Sequence, residues 1–377
     1  MRIRVKQPPL PQFHSRLHDE RTTTLVGTAL GVAFVTAFLT GLVSHVLQHP
    51  PSWLAHHLWT RPSWGYRLTQ GLHVVSGVAA IPLLLAKLWT VYPKLFQWPP
   101  LKSVTHALER LSILVLIAGA IFELVTGLLN AAQWYVWGSQ FPFIQTHYWV
   151  AWITLGALVL HIGVQTPRED LAAQRQGVSR RTFIATTAVA AGTVTVATVG
   201  QSVTSVQQVS VLSPRDVGVG ELGVPINRTA AQAGVAAEHV SADWRLEVVG
   251  GARPLSLSRD ELAALPQTFA KLPIACVEGW SVDAHWQGVR IRDLMDMAGA
   301  PHDADLRVVS MERNGAYAVT VMEREYARDA TALLALHLNG EPLTLDHGYP
   351  ARVIVPNRPG VLQTKWVRSW STVCTAC

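Results

Sequence analysis

The chain has 377 residues, a formal net charge of +6 and three cysteines. That length allows two or three folding units, and so few cysteines exclude a disulfide-built scaffold. The basic residues cluster beside apolar runs, not along one soluble face, which argues for membrane topology and against nucleic acid as a partner.

Residues 24–203 are dominated by long apolar runs, whereas residues 204–377 alternate apolar and polar positions as soluble folds do. Thr24–Leu47 carries no charge and is long enough to cross a hydrocarbon core of about 30 Å. Leu68 to about Tyr92, Leu111–Asn130 and Tyr148–Thr166 repeat the pattern, interrupted by Lys87 and Glu123. The expected organisation is a four-helix membrane bundle over 1–170, a fifth anchor helix over 171–203 and a soluble α+β domain over 204–377. Arg2, Arg4, Lys6, Arg16 and Arg21 precede the first span, Lys94, Lys102 and Arg110 join the second to the third, and Arg168 and Arg175 follow the fourth. The opposite side carries only Arg61 and Arg67, so the N-terminus is expected in the cytoplasm.

Histidine inside a membrane is costly unless it is hydrogen-bonded or ligating. "TQGLHVVSG" at 69–77 and "IQTHYWVAW" at 144–152 each open a span with a histidine, His73 and His147. His147 and His161 share one helix, about 21 Å apart by rise and about 40° out of phase. They can therefore address two separated sites on one face. His73 with His147 forms the outer candidate pair, and His106 with His161 the inner one. Two bis-histidine haems, one per leaflet, satisfy this arrangement. A hydrogen-bonded helix-end role remains open for each histidine, and His45 competes with His73. Glu123 suits proton transfer, a quinone site or a structural carboxyl equally.

"HYWVAWITLGALVLH" resembles the fourth helix of the b-type cytochrome subunits of formate dehydrogenases and hydrogenases, which carries two histidines with thirteen residues between them. In that family the inner haem takes a histidine from the inner end of the first helix; here only His14 and His18 precede that helix, too early to match. The resemblance implies one haem b, with a second possible.

"SRRTFIATTAVAAGTVTVATVG", residues 179–200, sets Arg180 and Arg181 before a moderately apolar run. It reads as a twin-arginine export signal inside the chain, or as an ordinary basic flank. Without a compelling cleavage site, the segment is expected to persist as the fifth helix. The soluble half then lies on the extracytoplasmic side of the cytoplasmic membrane, delivered by the twin-arginine export machinery.

In the soluble half, "WRLEVVGG", "LRVVSME", "AYAVTVM" and "ARVIVP" read as strands. "SRDELAALP" reads as a helix capped by Ser258 and Glu261, and "RIRDLMDMAG" as a helix closed by Gly299. "GVGELG" at 218–223 fits a dinucleotide fingerprint by spacing, but Pro225 follows and no βαβ unit surrounds it, so that reading fails. A G-x-S-x-G elbow is absent, so hydrolase logic fails too. The pair Cys374 and Cys377 has C-x-x-C spacing at a chain end, where an incidental or structural role is expected. Cys276 stands between an apolar run and the Glu278-Gly279-Trp280 turn, where a thiolate can meet a metal.

"CVEGWSVDAHWQGVRIRDLM" resembles the molybdenum-binding loop of the sulfite oxidase fold, and is most similar to that of the bacterial periplasmic methionine sulfoxide reductases. In that family the cysteine sulfur ligates molybdenum in a molybdopterin cofactor, a role that falls on Cys276. "DHGYPARVIVPNRPGVLQTKWV", residues 346–367, resembles the C-terminal cofactor stretch, which assigns His347, Arg352 and Lys365 to the pterin and its phosphate. A fixed guanidinium and an ammonium suit that anion. Asn227 and Arg228 in "PINRTA" match a further cofactor-contacting segment, and Glu278 matches a position lining the active pocket.

Two departures bear on substrate. Val277, Glu278 and Gly279 replace the arginine-rich stretch of eukaryotic sulfite oxidases, which disfavours sulfite. Leu362 stands where the periplasmic reductase carries basic residues, with Arg358 as the expected replacement. The whole implies a membrane-anchored enzyme catalysing two-electron oxo transfer, with a small or protein-bound S-oxide or N-oxide as substrate. Electrons are exchanged through haem with the quinone pool or another membrane redox partner. A non-enzymatic electron-transfer or sensory protein retaining the fold is the alternative.

Overall fold

A computed structural model describes residues 20–95, 104–136, 141–164, 179–241, 243–313 and 315–373. The Cys374/Cys377 pair, most of the linker before Arg180 and the N-terminal basic residues as far as Arg16 lie outside the described residues. The chain forms two compact units. One comprises Met1–Gly41, Leu72–Val199 and Gln208–Pro214; the other comprises Leu42–Gly71, Gly200–Gln207 and Arg215–Cys377. Composition alone placed the boundary near residue 203. Leu42–Gly71 instead belongs with the soluble half, because Leu47, Leu58 and Tyr66 are buried in its core.

Five helices among the described residues are long and apolar enough to cross a membrane. They are α1 (Glu20–Gln48), α3 (Gly65–Leu95), α4 (Val104–Ala131), α5 (Phe143–Val164) and α6 (Arg180–Thr198), with the short α2 (Ser52–Ala55) between the first two. Most of these helices begin earlier than hydropathy suggested, since polar residues at a helix end satisfy helical geometry without adding hydrophobicity. His106 is thereby inside α4, not before it. Ser179 caps α6 by accepting from the Thr182 N–H at 3.1 Å. In the first unit Lys87 Nζ donates to Thr23 O at 2.9 Å, which ties α3 to α1 and gives the ammonium a partner.

The second unit is built on two five-stranded sheets. Its elements after α6 are α7 (Ala230–Ala233), β1 (Arg245–Val249), β2 (Leu255–Ser258), α8 (Arg259–Ala264), β3 (Thr268–Ala275), β4 (Ser281–Arg290) and α9 (Ile291–Ala298). There follow β5 (Asp305–Ser310), β6 (Val319–Met322), α10 (Arg324–Ala327), β7 (Leu333–Leu338), β8 (Glu341–Pro342), β9 (Arg352–Ile354) and β10 (Val367–Val373). One sheet runs β2-β1-β10-β5-β6, with β1 and β10 parallel and its other neighbours antiparallel. The other runs β3-β4-β7-β8, with β9 also paired to β7.

The expected capping box at Ser258 and Glu261 is present, and Gly299 ends α9 in the left-handed conformation at φ 63°. In β4, Val282, Ala284 and Trp286 are buried while Asp283 and His285 are exposed, the period of two that a one-sided strand requires. "GVGELG" forms a tight loop in which Gly218 N–H donates to Gly223 O at 3.0 Å, and no dinucleotide-type helix opens there.

Candidate active site

The end of β3 delivers Cys276 into a turn. Its backbone N–H donates to Trp280 O at 2.9 Å, and the Gly279 N–H donates to Cys276 O at 3.0 Å, with Gly279 at φ 93°. Gly360 packs against this strand end so closely that a Cβ there would lie 2.8 Å from Ala275 O and 3.3 Å from Cys276 Cα. The cysteine is 1% exposed, and burial pushes its thiol pKa up, with the Glu278 carboxylate adding to the rise. Backbone N–H groups of Glu278 and Val277 hydrogen-bond to the sulfur and, with Lys365, favour the thiolate.

Cys276 lines a cavity that opens to solvent, together with Asn227, Arg228, His347, Arg352 and Lys365. Six residues assigned from separate sequence stretches therefore share one wall system. His347 is buried; its Nε2–H donates to Val224 O at 2.9 Å and its Nδ1 pairs with the Thr344 hydroxyl at 2.8 Å. Burial holds its pKa down, so the imidazole is a neutral, oriented wall.

Arg352 is fixed at the start of β9 by donation to His347 O at 3.1 Å and Gln363 O at 3.4 Å, and it lies 5.1 Å from the Trp286 ring centroid. Burial pulls its pKa down to about 10, and its buried Nε has no hydrogen-bond partner among the described residues. Lys365 Nζ donates to Asp346 O at 2.9 Å and to Arg228 O, and sits 4.4 Å from the Trp366 ring centroid. Burial first, then Arg352, pull its pKa down to about 7. Two cations whose charge is disfavoured, one with an unspent donor, are the chemistry an anionic cofactor phosphate completes. The donor set fits molybdopterin.

Two expected residues stand elsewhere. Glu278 is not among the cavity-lining residues: its carboxylate accepts from Trp280 Nε1 at 3.0 Å and lies 3.8 Å from Arg215. Arg358 also faces away, because its guanidinium donates to Leu362 O at 3.1 Å and to Val321 O, lies 3.6 Å from Glu323 and stacks 5.5 Å from the Tyr326 centroid. The cavity instead includes Tyr317, Gln363, Thr364, Glu312 and Asp346, which sequence reasoning did not single out. Tyr317 was hidden in a strand-like stretch, and Gln363 and Thr364 sat unremarked beside Lys365.

In the first unit the structure brings His73 and His147 together, their ring centroids 6.2 Å apart. His73 Nδ1–H donates to Ala37 O at 2.8 Å; His147 Nδ1 lies 3.0 Å from Glu123 Oε2 and 2.9 Å from Thr126 Oγ1. His161 Nδ1 is buried without a hydrogen-bond partner among the described residues.

Residues 232–375 match the family described as oxidoreductase molybdopterin binding domain. The chain is 36% identical over 127 residues to the uncharacterized oxidoreductase YuiH of Bacillus subtilis (strain 168), covering 33% of this chain and 63% of that protein. It is 32% identical over 152 residues to the mitochondrial sulfite oxidase of Mus musculus, covering 33% of this chain and 28% of that protein. Among solved structures, the sulfane dehydrogenase SoxCD from Paracoccus pantotrophus matches at 26% identity over 35% of this chain and 38% of that chain, with a TM-score of 0.32. The chain thus spans less than two thirds of the curated relatives it matches. Residues 232–375 therefore match a molybdopterin-binding oxidoreductase domain of sulfite oxidase type. The chain is an enzyme, and the non-enzymatic alternative falls away.

Proposed function

We propose that this enzyme is anchored in the cytoplasmic membrane by its five long helices, holds its molybdopterin centre on the extracytoplasmic side, and reduces an S-oxide or N-oxide by two-electron oxo transfer. The observation that carries this reading is the convergence of Cys276, Arg352 and Lys365 on one cavity. Bound there, the cofactor supplies oxo-transfer chemistry at molybdenum. The chain's own groups have separate tasks. Cys276 gives its sulfur to the metal, Arg352 and Lys365 hold the phosphate, and Asn227, Arg228 and His347 complete the cradle. Glu278, turned toward Trp280 and Arg215, supports the loop from behind.

Haem b is the proposed electron carrier, and His73 and His147, whose ring centroids lie 6.2 Å apart, would hold it and supply one-electron transfer there. Each ring also uses Nδ1 toward a carbonyl or carboxylate, as ligating histidines do. His106 and His161 are proposed for a second, inner haem, and the quinone pool as electron donor.

Metal and pterin analysis of the purified full chain, beside a reduced-minus-oxidised spectrum, tests both halves. The expected result is one molybdenum per chain that is lost or displaced in Cys276→Ser, and a b-type band lost in His73→Ala and His147→Ala. A wild-type chain without molybdenum, or a band untouched by both histidine substitutions, overturns the corresponding half.

A further inference from the structure

Three successive carbonyls after Cys276 are each met by a side chain from a distant part of the second unit. Gln70 Nε2 donates to Val277 O at 3.3 Å, Gln201 Nε2 to Glu278 O at 3.3 Å, and Ser202 Oγ to Gly279 O. All three donors are buried, at 5%, 1% and 5% exposure. Gln70 belongs to the first turns of α3, and Gln201 and Ser202 follow α6. None of them lies in the residues that match the molybdopterin family.

Closing the turn does not require them, since Cys276, Gly279 and Trp280 already close it through their own backbones. Their effect is on the peptide planes. A trans peptide holds its C=O and N–H at opposite ends. The peptide joining Val277 to Glu278 therefore presents its carbonyl to Gln70 and its N–H to the Cys276 sulfur. The next peptide presents its carbonyl to Gln201 and its N–H to Cys276 O, away from the sulfur. A donor at the carbonyl end fixes the plane and polarises the N–H at the other end. Hydrogen bonds to a ligating sulfur withdraw electron density from the metal and tune its potential.

We propose that Gln70 is a positioning residue for the redox centre: it orients and polarises the Val277–Glu278 peptide whose N–H bonds to the metal-ligating sulfur of Cys276. The inference rests on the reading that Cys276 ligates molybdenum. Gln201 secures the neighbouring peptide and acts on loop shape alone.

The test uses the full chain in detergent, wild type against Gln70→Met and Gln201→Met, reading molybdenum content, the Mo(V) paramagnetic resonance signal and the Mo(V)/Mo(IV) midpoint. Gln70→Met should load metal, alter the signal and make reduction less favourable by about threefold to tenfold, equal to about 28 to 59 mV for one electron. Gln201→Met should load and keep the wild-type midpoint. A loaded Gln70→Met with an unchanged signal and midpoint overturns the proposal, as does an equal shift in both variants. If Gln70→Met is empty, Gln70→Glu replaces it: its midpoint should match wild type at low pH, where the carboxyl donates, and fall below it at high pH. A difference from wild type that does not vary with pH overturns the proposal. A wild-type chain that binds no molybdenum fails at the ligation reading, before Gln70 is in question.

Discussion

Lys365→Met should stabilise the cofactor-free protein near neutral pH while abolishing cofactor retention. Burial holds the Lys365 pKa at about 7, against a usual value of 10.5. The unfolded chain therefore binds more protons between those values, and the folded state carries a penalty that is full below pH 7 and vanishes above pH 10.5. The gap of 3.5 units is worth about 5 kcal/mol at about 1.4 kcal/mol per unit. Methionine removes that penalty but leaves Arg228 O and Asp346 O without the Nζ donor, a loss of about 2 kcal/mol for the two together. The net gain is about 2 to 3 kcal/mol at pH 6 to 7, it passes through zero near pH 9, and it reverses beyond. Denaturant midpoints of cofactor-free wild type and variant, followed by tryptophan fluorescence in detergent across pH 6 to 10, read this directly. Pterin content of both proteins expressed with full cofactor supply completes the assay. A variant less stable than wild type at pH 6, or one retaining wild-type pterin, refutes the reasoning.

If His73 and His147 hold the proposed haem, Glu123→Gln should leave a b-type band in place and shift its midpoint potential, because the Glu123 carboxyl 3.0 Å from His147 Nδ1 sets how strongly that imidazole donates; a redox titration reads the shift, and an unchanged midpoint refutes the coupling. Gly360→Ala should cost about 1 to 3 kcal/mol and lower molybdenum content, since the new Cβ would meet Ala275 O at 2.8 Å; metal analysis beside a denaturation curve separates the two effects. Asn357→Ala should destabilise the second unit by about 2 to 4 kcal/mol. It strands the Tyr66 N–H, bonded to Asn357 Oδ1 at 2.6 Å, and Trp59 O, which accepts from Nδ2 at 2.7 Å, and it leaves alanine at φ 55°; accelerated proteolysis between α2 and α3 is the readout.

What was legible in the sequence follows from how many residue types can do a given job. Cys276, Arg352 and Lys365 were legible through the resemblance of their two stretches to the sulfite oxidase fold, in which a ligating sulfur and a buried phosphate partner admit few substitutes, and all three line the cavity. Charge alone could not say which way a side chain turns. Arg358 carries a charge suited to the cofactor phosphate and Glu278 a carboxyl expected in the active pocket, yet neither is among the cavity-lining residues, Arg358 donating to Leu362 O and Glu278 accepting from Trp280 Nε1. The strands β1, β5, β6 and β9 had visible β-branched content, whereas β7, "LLALHL", is nearly all buried and has no alternation to betray it. Gln70, Gln201 and Ser202 were illegible for a different reason: they lie in or beside apolar helices and act on carbonyls, which leave no trace in side-chain spelling.

The same logic explains why the cradle is costly without its occupant. Burial lowers the basicity of both Arg352 and Lys365, Arg352 lowers that of Lys365 further, and Arg352 Nε is buried without a hydrogen-bond partner among the described residues, so the cofactor-free wall holds charge that the fold alone would not select. A bound anion restores the balance, which ties stability of the second unit to loading. Loss of cofactor should therefore loosen β9 and the segment through Lys365 before it loosens the sheet β2-β1-β10-β5-β6, whose strands are held by ladder bonds and by the buried Leu246, Val308 and Trp370. Hydrogen exchange on loaded and unloaded protein distinguishes the two regions, and uniform protection across both would show that the cations are compensated within the fold itself.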